Sequence, residues 1–287
     1  MLTRVRPGRS GIAESQNSWT SMKLLEDASR ILPKESHDHP TLALITGANQ
    51  GVGFQLAKEL VAAGVTVLLG SRNMERGQAA AEAIGEGAIP IEIDVTDLVS
   101  IAAAAQRIST DYGYLDLLVN NAGISNTGTG DHSFEERIRN ARPSTVSIDE
   151  VRAIWETNVF GVLAVYQAML PLLRKSSDAR IVNVSSVVGS LTANADPRNP
   201  YHAMFVPGYS ASKTALNAVT LAMMIELEDT DIKVNLVSPA FTSTNLNGFR
   251  GTESVEDGSR EVVRVALLGP DGPTGTFTRW ENETIPW

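Results

Sequence analysis

From Thr41 onward the chain alternates short apolar runs with helical ones, and the first apolar run drives straight into a glycine-rich turn. Thr41–Thr46 reads T-L-A-L-I-T, and Thr46–Gly53 continues as T-G-A-N-Q-G-V-G. Further strands are expected at Val65–Leu69, Ala88–Ile93, Leu115–Asn120, Arg180–Val184 and Ile232–Val237. Helical patterns lie between them, at Val52–Ala63, Asn73–Ile84, Leu98–Asp111, Ile148–Lys175 and from Gly208 to about Glu228, with a last one at Val255–Leu267. Short apolar strands separated by helices pair in parallel and need cover on both faces. The expected fold is therefore α/β: a single-domain, Rossmann-type, doubly wound parallel sheet with helices on both faces. Such sheets bind ligands beyond the carboxyl ends of their strands.

Bulk properties narrow the functions. Hydrophobic residues make up 43% and charged residues 20% of 287, an ordinary composition for a chain with a sizeable core. There are no cysteines, which removes disulfides, thiolate metal sites and cysteine nucleophiles, and the four histidines show no metal-ligand spacing. A net charge of −9 and a pI near 5.0 argue against a nucleic-acid surface. No apolar run approaches the roughly 18 residues of a membrane span, so no membrane partner and a cytoplasmic location are expected. Residues 1–40 differ, with Arg4, Arg6 and Arg9 among serines and prolines. They read as a mobile N-terminal extension, with Leu24–Leu32 as a short surface helix and an organelle transit peptide as the alternative. The catalytic and nucleotide-binding domain is expected over 41–287.

Gly47, Gly51 and Gly53 form G-x-x-x-G-x-G between a strand and a helix. Glycines there let the backbone turn tightly and meet a pyrophosphate at a helix N-terminus, with Asn49, Gln50 and Val52 inside the same turn. About 20 residues on, an acidic residue would bind the ribose 2′-hydroxyl of NAD. This chain has Ser71-Arg72 instead. An arginine fork suits a 2′-phosphate, so NADP(H) is expected in preference to NAD(H).

Tyr209 and Lys213 stand one helical turn apart in Y-S-A-S-K and emerge on one face. A cation beside a phenol lowers its pKa, which would let Tyr209 exchange a proton with a reacting oxygen. Strand Arg180–Val184 ends in Ser185-Ser186, and the fourth strand ends in Asn120-Asn121-Ala122-Gly123, at the same edge. Asn158 lies within an apolar helical stretch, where a buried amide needs a partner.

These residues resemble the short-chain dehydrogenase/reductase family, carbonyl-reductase type, over roughly Thr41 to the C-terminus. The likeness rests on T-G-A-N-Q-G-V-G, D-V-T-D at Asp94, N-N-A-G at Asn120, Asn158, I-V-N-V-S-S at Ile181, Y-S-A-S-K and V-S-P-A at Val237. It implies that Ser186 polarises a substrate carbonyl and Tyr209 passes it a proton. Lys213 would lower the tyrosine pKa and hold the nicotinamide ribose, and Asn158 would position a water linking Lys213 to solvent. Asp94 and Val95 would face the adenine, Asn121, Ala122 and Gly123 would line the cofactor, and Pro239, Thr242 and Thr244 would lie near the carboxamide. Two departures stand out. Pro239-Ala240 replaces a common proline-glycine, which is tolerable unless the backbone needs positive φ. The stretch between Ser186 and Tyr209 is also longer than the family norm. Long segments near 125–147, 187–207 and 240–254 would rise beside the site, with Met204, Phe205, Phe241, Leu246 and Phe249 as an apolar substrate wall. The expected activity is NADPH-dependent reduction of a ketone or aldehyde. Oxidation of a secondary alcohol, steroid or polyol is the alternative, and a non-catalytic NADP-binding protein the third reading. The partner is a small-molecule carbonyl or alcohol, and monomer and homo-oligomer both stay open.

Overall fold

The computed structural model describes residues 39–128, 136 and 139–287. The N-terminal extension before His39, its expected short helix, and part of the 125–147 segment lie outside the described residues. Strands β1 (Leu42–Ile45), β2 (Thr66–Ser71), β3 (Ala88–Glu92), β4 (Leu117–Asn120), β5 (Arg180–Val184) and β6 (Lys233–Val237) all pair in parallel. β7 (Phe277–Arg279) extends the parallel sheet and β8 (Glu283–Thr284) closes it antiparallel, giving the order β3-β2-β1-β4-β5-β6-β7-β8. The last two strands were not expected, because three- and two-residue strands carry too little periodicity to be read.

Among the described residues the principal helices are α1 (Gly51–Ala62), α2 (Met74–Ile84), α3 (Leu98–Asp111), α4 (Ile148–Trp155), α5 (Gly161–Leu173), α6 (Leu191–Ala195), α7 (Tyr209–Glu226) and α8 (Val255–Ala266). Every residue of β1, β4 and β5 is buried, as expected of strands covered on both faces. Alternation divides them between two cores. Leu42, Leu44 and Leu118 pack under α3, α5 and α7, through Ile108, Val165 and Leu216 among others. Ala43, Ile45 and Val119 pack under α1, α2 and α8, through Leu56, Ala81 and Val265.

Two expectations need correction. The helical pattern at Ile148–Lys175 is one continuous helix only in outline: α4 and α5 are joined by a π-helical turn, Glu156–Phe160. Taken through that turn, Ile148–Leu173 is 26 residues long and passes the length and composition test for a membrane span. Half of that stretch is buried in the fold, with Val162, Val165, Tyr166 and Met169 in the core beneath the sheet, so it reads as a core helix. The 187–207 segment is likewise no simple loop, since it holds α6 and a 3₁₀ turn at His202–Met204.

Candidate active site

The strand order reverses between β1 and β4, and the turns after those two strands are stapled together there. The Asn121 amide donates to the carbonyls of Thr46 (2.9 Å) and Gly47 (3.1 Å), while Thr46 Oγ1 accepts from the backbone amides of Asn121 and Ala122. Gly47 and Gly51 have φ of 63° and 59°, which favour glycine. A Cβ on Gly53 would lie 2.4 Å from Asn121 Nδ2 and 2.7 Å from the Gly47 carbonyl, so only hydrogen fits. Asn73 and Asp97 cap α2 and α3 with their side chains, whereas α1 has no side-chain cap and no acidic residue in its first turn. An uncapped helix start approached by bare backbone is the geometry that receives a pyrophosphate, so these residues fit a dinucleotide.

A cleft of about 550 Å³ opens beside this turn, lined by Asn49, Gln50, Phe54, Arg76, Ala79, Ala80 and Asn245. Arg76 was not singled out from the sequence. Its signal is its position: it stands one helical turn after Arg72, so it belongs to the same edge. Ser71 takes a different role from the one expected. It is buried, its hydroxyl donates to the Asn73 carbonyl (2.8 Å) and accepts the Asn73 amide (3.3 Å), and it shapes the β2–α2 turn. Arg72 is exposed at the end of β2. Asp94 braces the turn after β3, accepting from the amide and hydroxyl of Thr96 at 2.9 and 2.7 Å. Val95 supports the start of α5, where a Cβ on Gly161 would come within 2.6 Å of its carbonyl.

At the ends of β4, β5 and α7 the expected group of four converges. Ser186 leads a 3₁₀ turn, Val187–Gly189, its hydroxyl accepts from the Val188 amide at 3.4 Å, and it lies close enough to the Tyr209 phenol to lower its pKa. Gly189 permits the contact with α7, because a Cβ there would sit 2.8 Å from Lys213 Cβ. Lys213 is buried, donates to the Val184 carbonyl at 2.8 Å, and holds its ammonium 5.8 Å from the Tyr209 ring centre. Asn158 sits in the π turn, fully buried. Its Oδ1 accepts from the Ile124 amide, and its Nδ2 donates to the Ile124 carbonyl (2.9 Å) and Ser212 Oγ (3.0 Å). The side-chain amide therefore ties the turn after β4 to α7. Gly123 lies against two of the four, since a Cβ there would be 3.3 Å from Asn158 Oδ1 and 3.5 Å from Lys213 Nζ.

The expected lowering of the tyrosine pKa by Lys213 is not what the polypeptide's own groups produce. Burial pushes the Tyr209 phenol up to about 12, and the Ser186 hydrogen bond opposes that only in part. Burial also pushes Lys213 down to about 8. Desolvation penalises both charged forms and outweighs attraction across 5.8 Å.

The segment after β6 folds across the glycine turn. Asn245 Nδ2 donates to Gln50 Oε1 at 3.2 Å, a Cβ on Gly51 would meet the Thr244 methyl at 3.4 Å, and Ser125 donates to the Leu246 carbonyl. Thr242 is buried and gives its hydroxyl to the Ala240 carbonyl (2.8 Å), so Thr244 is the better placed of the two threonines to meet a bound molecule. The described non-glycine residues with positive φ are Phe249 and Asn282, so Ala240 after Pro239 is accommodated without strain. Met204, Phe241, Leu246 and Phe249 are all exposed, and Phe205 is half-buried. Phe249, at φ 61° and 66% exposed, is held in the left-handed region by its amide's bond to the Thr244 carbonyl. Strain of this kind in a bulky residue gathers at functional segments.

A doubly wound sheet with a bare glycine turn at its switch point and a serine–tyrosine–lysine group one strand away defines a dinucleotide-dependent oxidoreductase. The family model for short chain dehydrogenase matches residues 41–254, and the chain belongs to that family. It is 38% identical over 254 residues to the short-chain dehydrogenase anuI of Penicillium roqueforti, covering 85% of this chain and 96% of that one. Salutaridine reductase from Papaver somniferum superposes with a TM-score of 0.69 at 29% identity, covering 83% of this chain and 99% of that one. A metagenomic short-chain oxidoreductase in complex with NADP gives 0.64 at 25% identity, over 83% and 96%. The chain is thus an oxidoreductase working between carbonyl and alcohol.

Proposed function

We propose that this chain is an NADPH-dependent reductase of a bulky, apolar ketone or aldehyde. The observation that carries the reading is the convergence of Ser186 and Tyr209 with the buried Lys213, whose ammonium lies 5.8 Å from the Tyr209 ring centre, at the carboxyl edge of the sheet. The nicotinamide, when bound, supplies the hydride. Ser186 donates a hydrogen bond to the carbonyl oxygen and orients it, and Tyr209 gives that oxygen a proton. Lys213 anchors the ribose beneath them from its hold on Val184. In the polypeptide alone burial raises the Tyr209 pKa, so the phenol carries the proton that reduction delivers to the oxygen. The relative named salutaridine reductase supports the same direction. Arg76 lines the cleft beside the glycine turn, Arg72 is exposed four residues before it in the chain, both suit a 2′-phosphate, and the NADP complex of a family member agrees with that choice. The exposed apolar side chains of the 240s segment and of Met204 suit an uncharged, water-poor substrate.

The test is Tyr209→Phe assayed with NADPH against a carbonyl panel. Turnover should fall by about 10²–10⁴-fold, the usual worth of a positioned proton donor, with NADPH affinity unchanged. Retained turnover in the variant refutes the assigned role. Tight NADPH binding without consumption by the unmodified chain on any carbonyl refutes the reductase.

A further inference from the structure

Residues 280–287 return from the far edge of the sheet to the insertion that separates Ser186 from Tyr209. After β8, Ile285 buries itself with Phe277, Leu236 and Val187, the residue that follows Ser186. Trp287 meets Phe277 edge-on, with ring centres 6.1 Å apart. Its backbone oxygen accepts from both the amide (3.3 Å) and the hydroxyl (2.7 Å) of Thr192, in the first turn of α6. In the same helix, buried Asn194 donates to the carbonyls of Val187 (3.3 Å) and Ser190 (2.8 Å), and its own carbonyl meets His202 Nδ1 at 2.7 Å. His202 opens the 3₁₀ turn that ends at Met204, whose carbonyl accepts from Ser210 Oγ at 2.9 Å, beside Tyr209. An unbroken series of contacts therefore runs from Trp287, through α6, to both ends of the insertion.

We propose that Trp287 and Thr192 act as a positioning pair, which holds the 187–207 insertion against the catalytic edge and so decides how well the enzyme grips the far end of a bulky ketone. This rests on reading Ser186 and Tyr209 as the site of carbonyl reduction. Neither Trp287 nor Thr192 reaches the reacting atoms, so the chemical step is untouched when they change. The insertion carries Met204 and Phe205, and a substrate too small to reach them is insensitive to their placement. Thr192 is exposed, and loss of its hydroxyl removes a link without opening a core.

Thr192→Val and Trp287→Ala in the full chain test this, with thermal unfolding, NADPH affinity from fluorescence quenching, and steady-state kinetics. The first substrate pair is 2-decalone and cyclohexanone, or the bulkiest and smallest cyclic ketones the unmodified enzyme accepts. KM for the bulky ketone should rise about tenfold and for the small one less than about twofold, the scale on which apolar contacts discriminate substrates. The kcat values, NADPH affinity and, for Thr192→Val, the melting temperature should stay level. Amides of 187–204 should exchange hydrogen faster in both variants. Trp287→Ala takes the ring from Phe277 but keeps the backbone oxygen that Thr192 bonds, so the two changes cut successive links of one series. The double variant should exceed the more affected single one but stay below the sum of the two. Equal rises for both ketones, weakened NADPH binding, or unchanged KM in Thr192→Val overturn the proposal. If the unmodified enzyme reduces ketones and the variants match it, this inference alone falls. If the unmodified enzyme reduces none, the catalytic reading falls and takes this one with it.

Discussion

At the amino edge of the sheet, Arg180 is 6% exposed and stands 3.2 Å from Asp178, with Asp116 beside them. Asp116 in turn accepts from the Leu42 amide (2.8 Å) and Ser176 Oγ (2.6 Å). At the carboxyl edge Lys213 is 4% exposed, yet among the described residues no carboxylate pairs with it, and its ammonium rests on a carbonyl oxygen. The two cations are equally deep and differently kept. Burial lowers the pKa of both, but around Arg180 two carboxylates push back, whereas among the described residues burial acts on Lys213 unopposed. A paired buried charge locks chain segments together. An unpaired one costs stability, and its retention is the mark of a site where chemistry sets the requirement.

The largest effect that would break this comparison is at the paired edge. Asp178→Ala leaves the Arg180 guanidinium buried with one carboxylate neighbour instead of two. It should destabilise the fold by about 3–5 kcal/mol in chemical denaturation, the usual cost of breaking a buried pair. The folded fraction should keep its kcat and KM. A loss under about 1 kcal/mol would mean that the pair contributes no more than a surface bridge.

Lys213→Met should act with the opposite sign. The folded-state pKa of Lys213, about 8, lies below the ordinary lysine value of 10.5, so the unfolded chain binds more protons between those values. Stability of the unmodified protein should therefore rise as pH climbs from about 8 toward 10, then fall as Tyr209, raised to about 12, begins to titrate in the unfolded chain. The penalty at neutral pH is on the order of 3 kcal/mol, less about 1 for a Val184 carbonyl left without its donor, so the variant should gain about 2 kcal/mol at pH 7. The cleaner readout is the slope: melting temperature against pH should lose its rise above pH 8. A variant that is less stable at pH 7 and keeps the slope would show that Lys213 is a structural residue like Arg180.

This contrast also marks what could be read before the fold was known. Strand positions, the glycine turn and the Tyr209–Lys213 spacing are local patterns, and α3 falls on the expected residues, Leu98–Asp111. Asn158 and Gly123 are far apart in the sequence, and hydrogen bonds across 34 to 54 residues, from Asn158 to Ile124 and Ser212, bring the turn after β4 to α7. The π turn that aims Asn158 has no residue signature beyond an apolar helix. The hydroxyls of Ser71 and Thr242 fall in stretches that suit a ligand, but spacing does not say which way a short side chain turns. Both point into their own turns. The pKa directions at Tyr209 and Lys213 were the least legible, since they depend on depth, which sequence does not specify.

The smallest effect concerns a charge that is neither buried nor paired among the described residues. Arg72 projects from the end of β2, exposed, so its removal costs the fold almost nothing. Arg72→Ala should leave the melting temperature within about a degree and kcat unchanged, while KM for NADPH rises about tenfold and KM for NADH stays level, because only the 2′-phosphate loses a partner. Arg76, on the wall of the neighbouring cleft, should retain part of the preference, and Arg72→Ala with Arg76→Ala should remove the rest. Parallel changes for both cofactors would place Arg72 with the solvated surface charges, and the preference would then have to arise at Asn49, Gln50 and Asn245, the polar side chains that close the same cleft.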